Sequence, residues 1–277
     1  MVTPAQRHEA LAHLTSKGLS QRRVCRWSGI SRSAARYPLR QAARDVQLVT
    51  VMQQVTAQHP RFGYRRVAVL AQVSFKRAWR VWKQHGFALQ PLRVRRRRPA
   101  RSDERPHRAA GRNHVWTYDI LYDRLANGRQ FKTLSLLDEF TRECLAIHVA
   151  PSVRAADVIT VLQRAMQQHG QPHFIRSDNG SEFTATPVRQ WLHDQRVGPS
   201  FIEPGHPWQN GFVESFHGKF RDECLNREWF ATSQEAQIVI ERWRQHYNTQ
   251  RPHSALGYKT PAQVAASLTN QHSATLV

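Results

Sequence analysis

The chain has 277 residues, of which 40% are hydrophobic, enough for a folded core domain and a smaller second domain. No run of about 18 apolar residues occurs, and the N-terminus lacks an apolar secretion signal. We therefore expect a cytoplasmic protein with no membrane span. The three cysteines are scattered without a CxxC pair, which excludes a disulfide framework and a zinc ribbon.

The formal net charge of +21 is confined to one part of the chain. Residues 1–113 hold 25 Lys and Arg against four Asp and Glu, whereas residues 114–277 hold 16 of each kind. Such asymmetry is typical of proteins that bind a polyanion, and nucleic acid is the partner that it indicates.

Residues 1–90 are predicted to form a basic, all-α region of the helix-turn-helix type. Ser20 and Ser31 are each placed to cap a short helix, and Gly29 permits the turn between the two helices. An ordinary helical hairpin would show the same pattern, but the charge favours DNA contact. The predicted contacts on the outer side of the second helix are Arg32 and Arg36.

Residues 91–113 are predicted to be a linker. They contain nine Arg, three Pro and only two acids, a composition that favours an extended chain over a packed one. Basic runs are often solvated tails, but this one joins a basic helical region to an acidic domain. We therefore predict phosphate contacts at Arg95, Arg96, Arg97 and Arg98.

From His114 the pattern becomes α/β. Three apolar strands are followed by a helix, a strand, a helix, a strand and a further helix, and a final long helix follows. This order predicts a five-stranded mixed sheet with flanking helices over residues 114–265. Residues 266–277 are predicted to be a C-terminal tail.

Three acids in this domain are candidates for one site. Asp119 lies inside the apolar run WTYDIL, Asp178 lies in the turn after the strand FIRS, and Glu214 follows on a helix after 35 further residues. A carboxylate on a central strand costs free energy unless it meets a cation or hydrogen-bond donors. Converging carboxylates suit Mg²⁺ or Mn²⁺, and two such ions can promote phosphoryl transfer.

Each acid also has an ordinary interpretation. Asp178 could cap a turn, and Glu214 could be a solvated helix residue. Asp138, in the strand LSLLDEF, is the main rival of Asp119 as the first metal ligand. The joint pattern of strand acid, turn acid and helix acid is more specific than any one of its members.

The motifs WTYDIL (116–121), LLDEFTREC (136–144), IRSDNGSEF (175–183), PWQNGFVESFHGKFRDE (207–223) and YNTQRPHSALGYKTP (247–261) occur in this order. In these motifs the chain resembles the DDE transposases of bacterial insertion sequences, of the OrfB type in the insertion-sequence-three family. These enzymes are similar to retroviral integrases.

The resemblance implies a ribonuclease-H-like catalytic core with Asp119, Asp178 and Glu214 as catalytic metal ligands for two Mg²⁺ or Mn²⁺ ions. It implies that the turn at Asn179 and Gly180 lines the active site and that Arg221 contacts DNA phosphate. Asn210 is placed to shape the entry of the catalytic helix. Implied partners are double-stranded DNA, an upstream OrfA-type partner or fusion, and further copies of the chain on that DNA.

Two other functions compete with a transposase that cleaves and transfers DNA strands. A ribonuclease H acting on RNA–DNA hybrids would not need the basic region of residues 1–113. A regulator that only binds DNA would not need three acids at this spacing.

Overall fold

The structure is a computed structural model that describes residues 4–36, 40–87, 107–178, 180–203 and 207–274. The chain divides into two compact units, residues 1–88 and residues 89–277. Most of the predicted linker, including Arg95, Arg96, Arg97 and Arg98, lies outside the described residues.

The described part of the first unit is helical, as predicted. Its helices are α1 (Pro4–Ser16), α2 (Gln21–Ser28), α3 (Arg32–Arg36), α4 (Arg40–Gln58), α5 (Tyr64–Leu70) and α6 (Phe75–Gln84). Gly29 ends α2 with a φ of 66°, and the Ser31 hydroxyl accepts a hydrogen bond from the Ala34 amide at 3.1 Å. The predicted turn and second cap are therefore confirmed, whereas α1 was not predicted.

Helices α4, α5 and α6 share a small apolar core. Met52, Val67 and Val81 are fully buried in it. The carboxylate of Asp45 on α4 accepts hydrogen bonds from Arg77 and Arg80 on α6. This unit therefore folds around its own contacts.

The second unit contains the predicted α/β domain. Its elements are β1 (Val115–Arg124), β2 (Gln130–Asp138), β3 (Cys144–Ala150), α7 (Ala155–His169), β4 (Phe174–Ser177), α8 (Ser181–Thr184), α9 (Thr186–Asp194), β5 (Gly198–Phe201), α10 (Gly211–Glu223), α11 (Ser233–Thr249) and α12 (Pro261–Ala274).

The strands form one five-stranded mixed sheet in the order β3-β2-β1-β4-β5. Strands β1, β2 and β3 pair antiparallel, whereas β4 is parallel to both β1 and β5. Helices α7 and α9 pack on one face, and α10 and α11 on the other. The five-stranded mixed sheet with helices on both faces confirms the ribonuclease-H-like fold.

Two segments differ from the sequence-based expectation. Residues 107–113, placed in the linker by their composition, contact the core: Arg176 donates to the His107 carbonyl, and the Asn113 side chain donates to the His169 carbonyl. Helix α12 extends to Ala274 and so crosses the predicted start of the tail at residue 266.

Candidate active site

Asp119 lies in the middle of β1, on the face of the sheet that α10 covers. Its neighbours on that strand, Trp116 and Tyr118, point to the opposite face and belong to the core beneath α7. The side chain of Asp119 is 23% exposed, and its Oδ1 atom accepts a hydrogen bond from the Ile120 amide at 2.7 Å. The carboxylate is thus largely removed from water and only partly satisfied by the protein.

Asp178 follows the last residue of β4. Strand β4 is the parallel neighbour of β1, and Thr117 is paired with Arg176. Extending that register by two residues brings Asp178 opposite Asp119, on a strand about 4.8 Å away. The register therefore places the end of β4, and with it Asp178, beside the middle of β1, where Asp119 lies.

Glu214 lies in the first turn of α10. Val213, Phe216 and Phe220 bury the opposite side of this helix, which leaves Glu214 exposed. Asn210, the residue before the helix, accepts a buried hydrogen bond at 2.6 Å from the hydroxyl of Thr117 on β1. This bond ties the start of the helix that carries the third acid to the strand that carries the first.

The three acids influence each other electrostatically. The pKa of Asp119 is raised to about 7. Burial is the main cause, and the negative charges of Asp178 and Glu214 add to it. Burial also raises the pKa of Glu214. The charges of Asp178 and Glu214 therefore both act on Asp119.

The donor set fits a hard divalent cation by its chemistry. All three side chains offer carboxylate oxygens, which Mg²⁺ and Mn²⁺ prefer. Within the described part of the chain, no three Asp, Glu, His or Cys side chains stand close enough together to hold a metal ion. The three side chains therefore have the chemistry of metal ligands without the spacing of an assembled site.

In the metal-free protein, we expect the unfolding temperature of the core to fall as the pH rises from about 4 to about 7 and to level off above that value. The pKa of Asp119 in the folded state, about 7, exceeds its ordinary value of 3.8, so the folded state binds the extra proton between these values. Stability should rise on acidification through 7 until the pH nears 4. Thermal unfolding measured from about pH 5 to about pH 8 tests this. A slope that persists in Asp119→Asn would show that another group causes it.

The turn after Asp178 leaves little room for a side chain at position 180. The Gly180 amide donates to Oδ1 of Asp178 at 3.0 Å. A Cβ atom at Gly180 would lie 3.0 Å from that oxygen and 3.2 Å from the ring of Phe183. The glycine therefore lets the backbone approach the second acid, while its neighbour Asn179 lies outside the described residues.

Asp138, the rival first ligand, is used differently. Its Oδ1 atom accepts hydrogen bonds from the Phe140 amide and from the amide and hydroxyl of Thr141, at 2.7–3.0 Å. Its Oδ2 atom accepts from the Asn113 amide at 2.7 Å. With 1% exposure and four donors, Asp138 stabilises the turn after β2 and is not available to a metal.

The predicted DNA contacts remain predictions, but several are well placed. Arg32 and Arg36 are both exposed on α3. Arg221, two turns after Glu214 on α10, donates to the Tyr122 carbonyl on β1 at 2.8 Å. Its guanidinium is therefore held beside the strand that carries Asp119.

Two features of the site were not predicted from the sequence. His217 on α10 is 8% exposed, and its Nδ1 atom lies 3.6 Å from Oδ2 of Asp119. Burial, with Arg221 nearby, lowers the pKa of His217 to about 4. Its Nε2 atom is buried with no hydrogen-bond partner in the described residues, an arrangement that costs about 1–3 kcal/mol.

The second feature is a buried ion pair at the end of α10. Arg251, from the motif YNTQRPHSALGYKTP, donates through Nε and Nη2 to both carboxylate oxygens of Glu223, each at 2.6 Å. The side chain of Arg251 is 1% exposed, so it pins the C-terminal segment to the end of α10. A buried Arg at this position carries no sequence signal that separates it from a DNA contact.

Comparison with known proteins matches this geometry. Models of the integrase core domain match residues 109–207 and 195–261. A protein of insertion element IS407 from Burkholderia multivorans is 40% identical over 255 residues, which cover 90% of this chain and 91% of that protein. The chain belongs to the insertion-sequence transposases of the retroviral-integrase-like type.

The chain is also similar to a second insertion-element protein and to a solved integrase core domain. A protein of insertion element IS476 from Xanthomonas euvesicatoria is 38% identical over 280 residues, which cover 98% of this chain and 80% of that protein. The HTLV-2 integrase catalytic core domain, solved in complex with magnesium, aligns at a TM-score of 0.45 and 18% identity over 57% of this chain and 99% of that one.

None of the transposase helices that the structure describes is long and apolar enough to cross a membrane.

Proposed function

We propose that this transposase catalyses metal-dependent cleavage of DNA strands and their transfer to a target. The observation that carries the proposal is the environment of Asp119. Its pKa is raised to about 7 by burial and by the charges of Asp178 and Glu214. Such a site favours the binding of cations, because a cation relieves both the desolvation and the repulsion.

Asp119, Asp178 and Glu214 are the residues that would hold the ions. When bound, two Mg²⁺ or Mn²⁺ ions would supply Lewis-acid activation of the attacking oxygen and stabilisation of the leaving oxygen. Asp119 and Asp178 are fixed by adjacent parallel strands, and Glu214 is carried by a helix tied to β1 through Asn210. The proposed roles of Gly180 and Asn179 are to shape the turn at the second acid.

The proposed reaction has two steps at one site. Water attacks a phosphodiester at the end of the element and releases a 3′-hydroxyl, which then attacks a phosphodiester of the target. Neither step needs a covalent bond between protein and DNA, so no Ser or Tyr nucleophile is required.

The experiment that tests this proposal uses the full chain, Mg²⁺, and labelled duplexes that carry the ends of its element. Nicked 3′ ends and joined products are separated on a denaturing gel. Cleavage of an RNA–DNA hybrid but not of the duplex would favour a ribonuclease H instead. Binding without cleavage under all metal conditions would favour a regulator.

DNA binding is assigned to the basic region and to Arg221. We propose that Arg32 and Arg36 contact the element ends, and that Arg95 to Arg98 contact phosphates of the same DNA. Assembly of several copies on DNA, and joint action with an upstream OrfA-type partner, are further parts of the proposal. Since the substrate is chromosomal DNA, the proposed location is the cytoplasm.

Replacing Arg95 to Arg98 together with Gln should flatten the salt dependence of DNA binding. Each lost phosphate contact removes about 0.9 from the slope of log affinity against log salt, so four contacts remove roughly 3.6. Fluorescence anisotropy at several salt concentrations measures the slope. The matched control replaces with Gln four exposed arginines of the α/β domain, namely Arg164, Arg189, Arg196 and Arg242. An equal effect of both variants would show that net charge alone sets the binding.

A further inference from the structure

His217 lies on the same face of α10 as Glu214, one helical turn later. Its ring approaches the first acid: Nδ1 is 3.6 Å from Oδ2 of Asp119, slightly longer than a hydrogen bond. The other oxygen of that carboxylate, Oδ1, already accepts from the Ile120 amide. Each oxygen of Asp119 therefore has a nitrogen neighbour, one from its own strand and one from the catalytic helix.

Packing does not explain a histidine at this position. The side chain is 10% exposed and sits beside the apolar core of α10, and its Nε2 atom has no hydrogen-bond partner among the described residues. A leucine would fill similar space without burying an unpartnered polar atom. The feature that a leucine could not supply is the nitrogen that faces Asp119.

The register of α10 along β1 places this contact between two others. Asn210 accepts from Thr117 near the start of the helix, and Arg221 donates to the Tyr122 carbonyl near its end. Between them, His217 faces Asp119. Glu214 lies on the same helix face, between Asn210 and His217, so a movement of α10 shifts Glu214 and His217 together.

We propose that His217 is a positioning residue, which donates its Nδ1–H to Asp119 and so sets the place of that carboxylate relative to Glu214. A neutral imidazole carries one proton, and the nitrogen next to the carboxylate is the one that benefits from it. An oriented carboxylate loses less freedom when a cation binds. This inference rests on the proposed function, because it assigns His217 a role toward the metal ligands.

The test compares His217→Leu and His217→Asn with the unaltered full chain. For His217→Leu we expect the metal-free protein to unfold at the same or a higher temperature, since the unpartnered nitrogen is gone. The rise in unfolding temperature on adding Mn²⁺ should shrink, and the Mg²⁺ concentration for half-maximal nicking should increase about 10–100-fold. His217→Asn retains an N–H donor and should recover part of both effects.

The matched control is His193→Leu. His193 also has its Nδ1 atom 3.6 Å from a carboxylate oxygen, that of Asp194, but its side chain is 85% exposed on α9. We expect this variant to change neither readout. A lower unfolding temperature of metal-free His217→Leu, or an unchanged response to Mn²⁺, would overturn the proposal.

The unfolding measurement separates this inference from the proposed function. If the unaltered chain is stabilised by Mn²⁺ through His217 but cleaves no DNA, the enzyme assignment fails while the positioning role stands. If cleavage is normal and His217→Leu responds to both metals as the unaltered chain does, the positioning role fails alone.

Discussion

Asp119→Asn, Asp178→Asn and Glu214→Gln should each reduce both nicking and strand transfer by about 10³-fold or more. Each change removes one charged ligand at nearly constant shape. The transition-state stabilisation that bound cations provide is worth several kcal/mol, and every 1.36 kcal/mol is a factor of ten in rate. Both steps should fall together because they share one site. Gel assays with labelled element ends measure the two products separately.

Folding and DNA binding should survive in these variants. Metal-free Asp119→Asn should even unfold at a higher temperature at pH 7, because the carboxylate that it replaces is buried beside two like charges. The control is Asp194→Asn, an exposed acid on α9 that should keep full activity. Normal cleavage by all three site variants would refute the enzyme assignment.

Arg176→Leu should lower the unfolding temperature of the core by roughly 10 °C. The Nη1 atom of Arg176 is 2.5 Å from Oε1 of Glu139, and both side chains are almost fully buried. Removing one partner of a buried ion pair leaves an uncompensated charge and costs about 3–5 kcal/mol. For a unit of this size each kcal/mol shifts the midpoint by about 2–4 °C. Thermal unfolding followed by circular dichroism measures the shift.

The double variant Arg176→Leu with Glu139→Leu distinguishes the buried charge from lost packing. Replacing both partners with apolar groups is often nearly neutral, so most of the lost stability should return. Arg189→Leu, at an exposed position on α9, should have no effect. A double variant as unstable as Arg176→Leu would place the loss in packing or in the bond to the His107 carbonyl.

The first three strands could be predicted from the sequence because each is a largely apolar run bounded by turn signals. The helices that pack on the sheet, such as α7 with Val158 and Leu162, also show a clear apolar face. Helix α1 was missed because Leu11 is its single buried hydrophobic residue among the described side chains, too few for a periodic signal. Helix α12 was missed for a related reason, since its sequence is mostly small and polar.

The choice between Asp119 and Asp138 shows where pattern alone is insufficient. Both acids lie in apolar strands, and hydropathy cannot separate a metal ligand from an acid that caps a turn. The distinguishing feature is local. Thr141 lies three residues after Asp138, and both its amide and its hydroxyl donate hydrogen bonds to that carboxylate. Asp119 accepts one hydrogen bond from the Ile120 amide, and its other oxygen faces α10, which is distant in sequence.

The contacts that support the site could not be predicted, because they depend on how α10 lies on the sheet. Asn210 just before α10 and His217 in its middle carry no distinguishing pattern in the sequence, and only the register of α10 along β1 brings them to Thr117 and Asp119. For the same reason, the sequence does not separate an Arg251 that contacts DNA from one that holds the C-terminal segment, whereas its two hydrogen bonds to Glu223 do.

The Arg251–Glu223 pair has a genetic consequence. The ribosome adds Asp119, Asp178 and Glu214 before it adds Arg251. A nascent chain therefore holds these three acids while the ion pair between Arg251 and Glu223 at the end of α10 is still absent. A copy of the reading frame with a stop codon between positions 224 and 250 would remain in that condition permanently. Such a copy would keep the codons of Asp119, Asp178 and Glu214 while it loses that of Arg251.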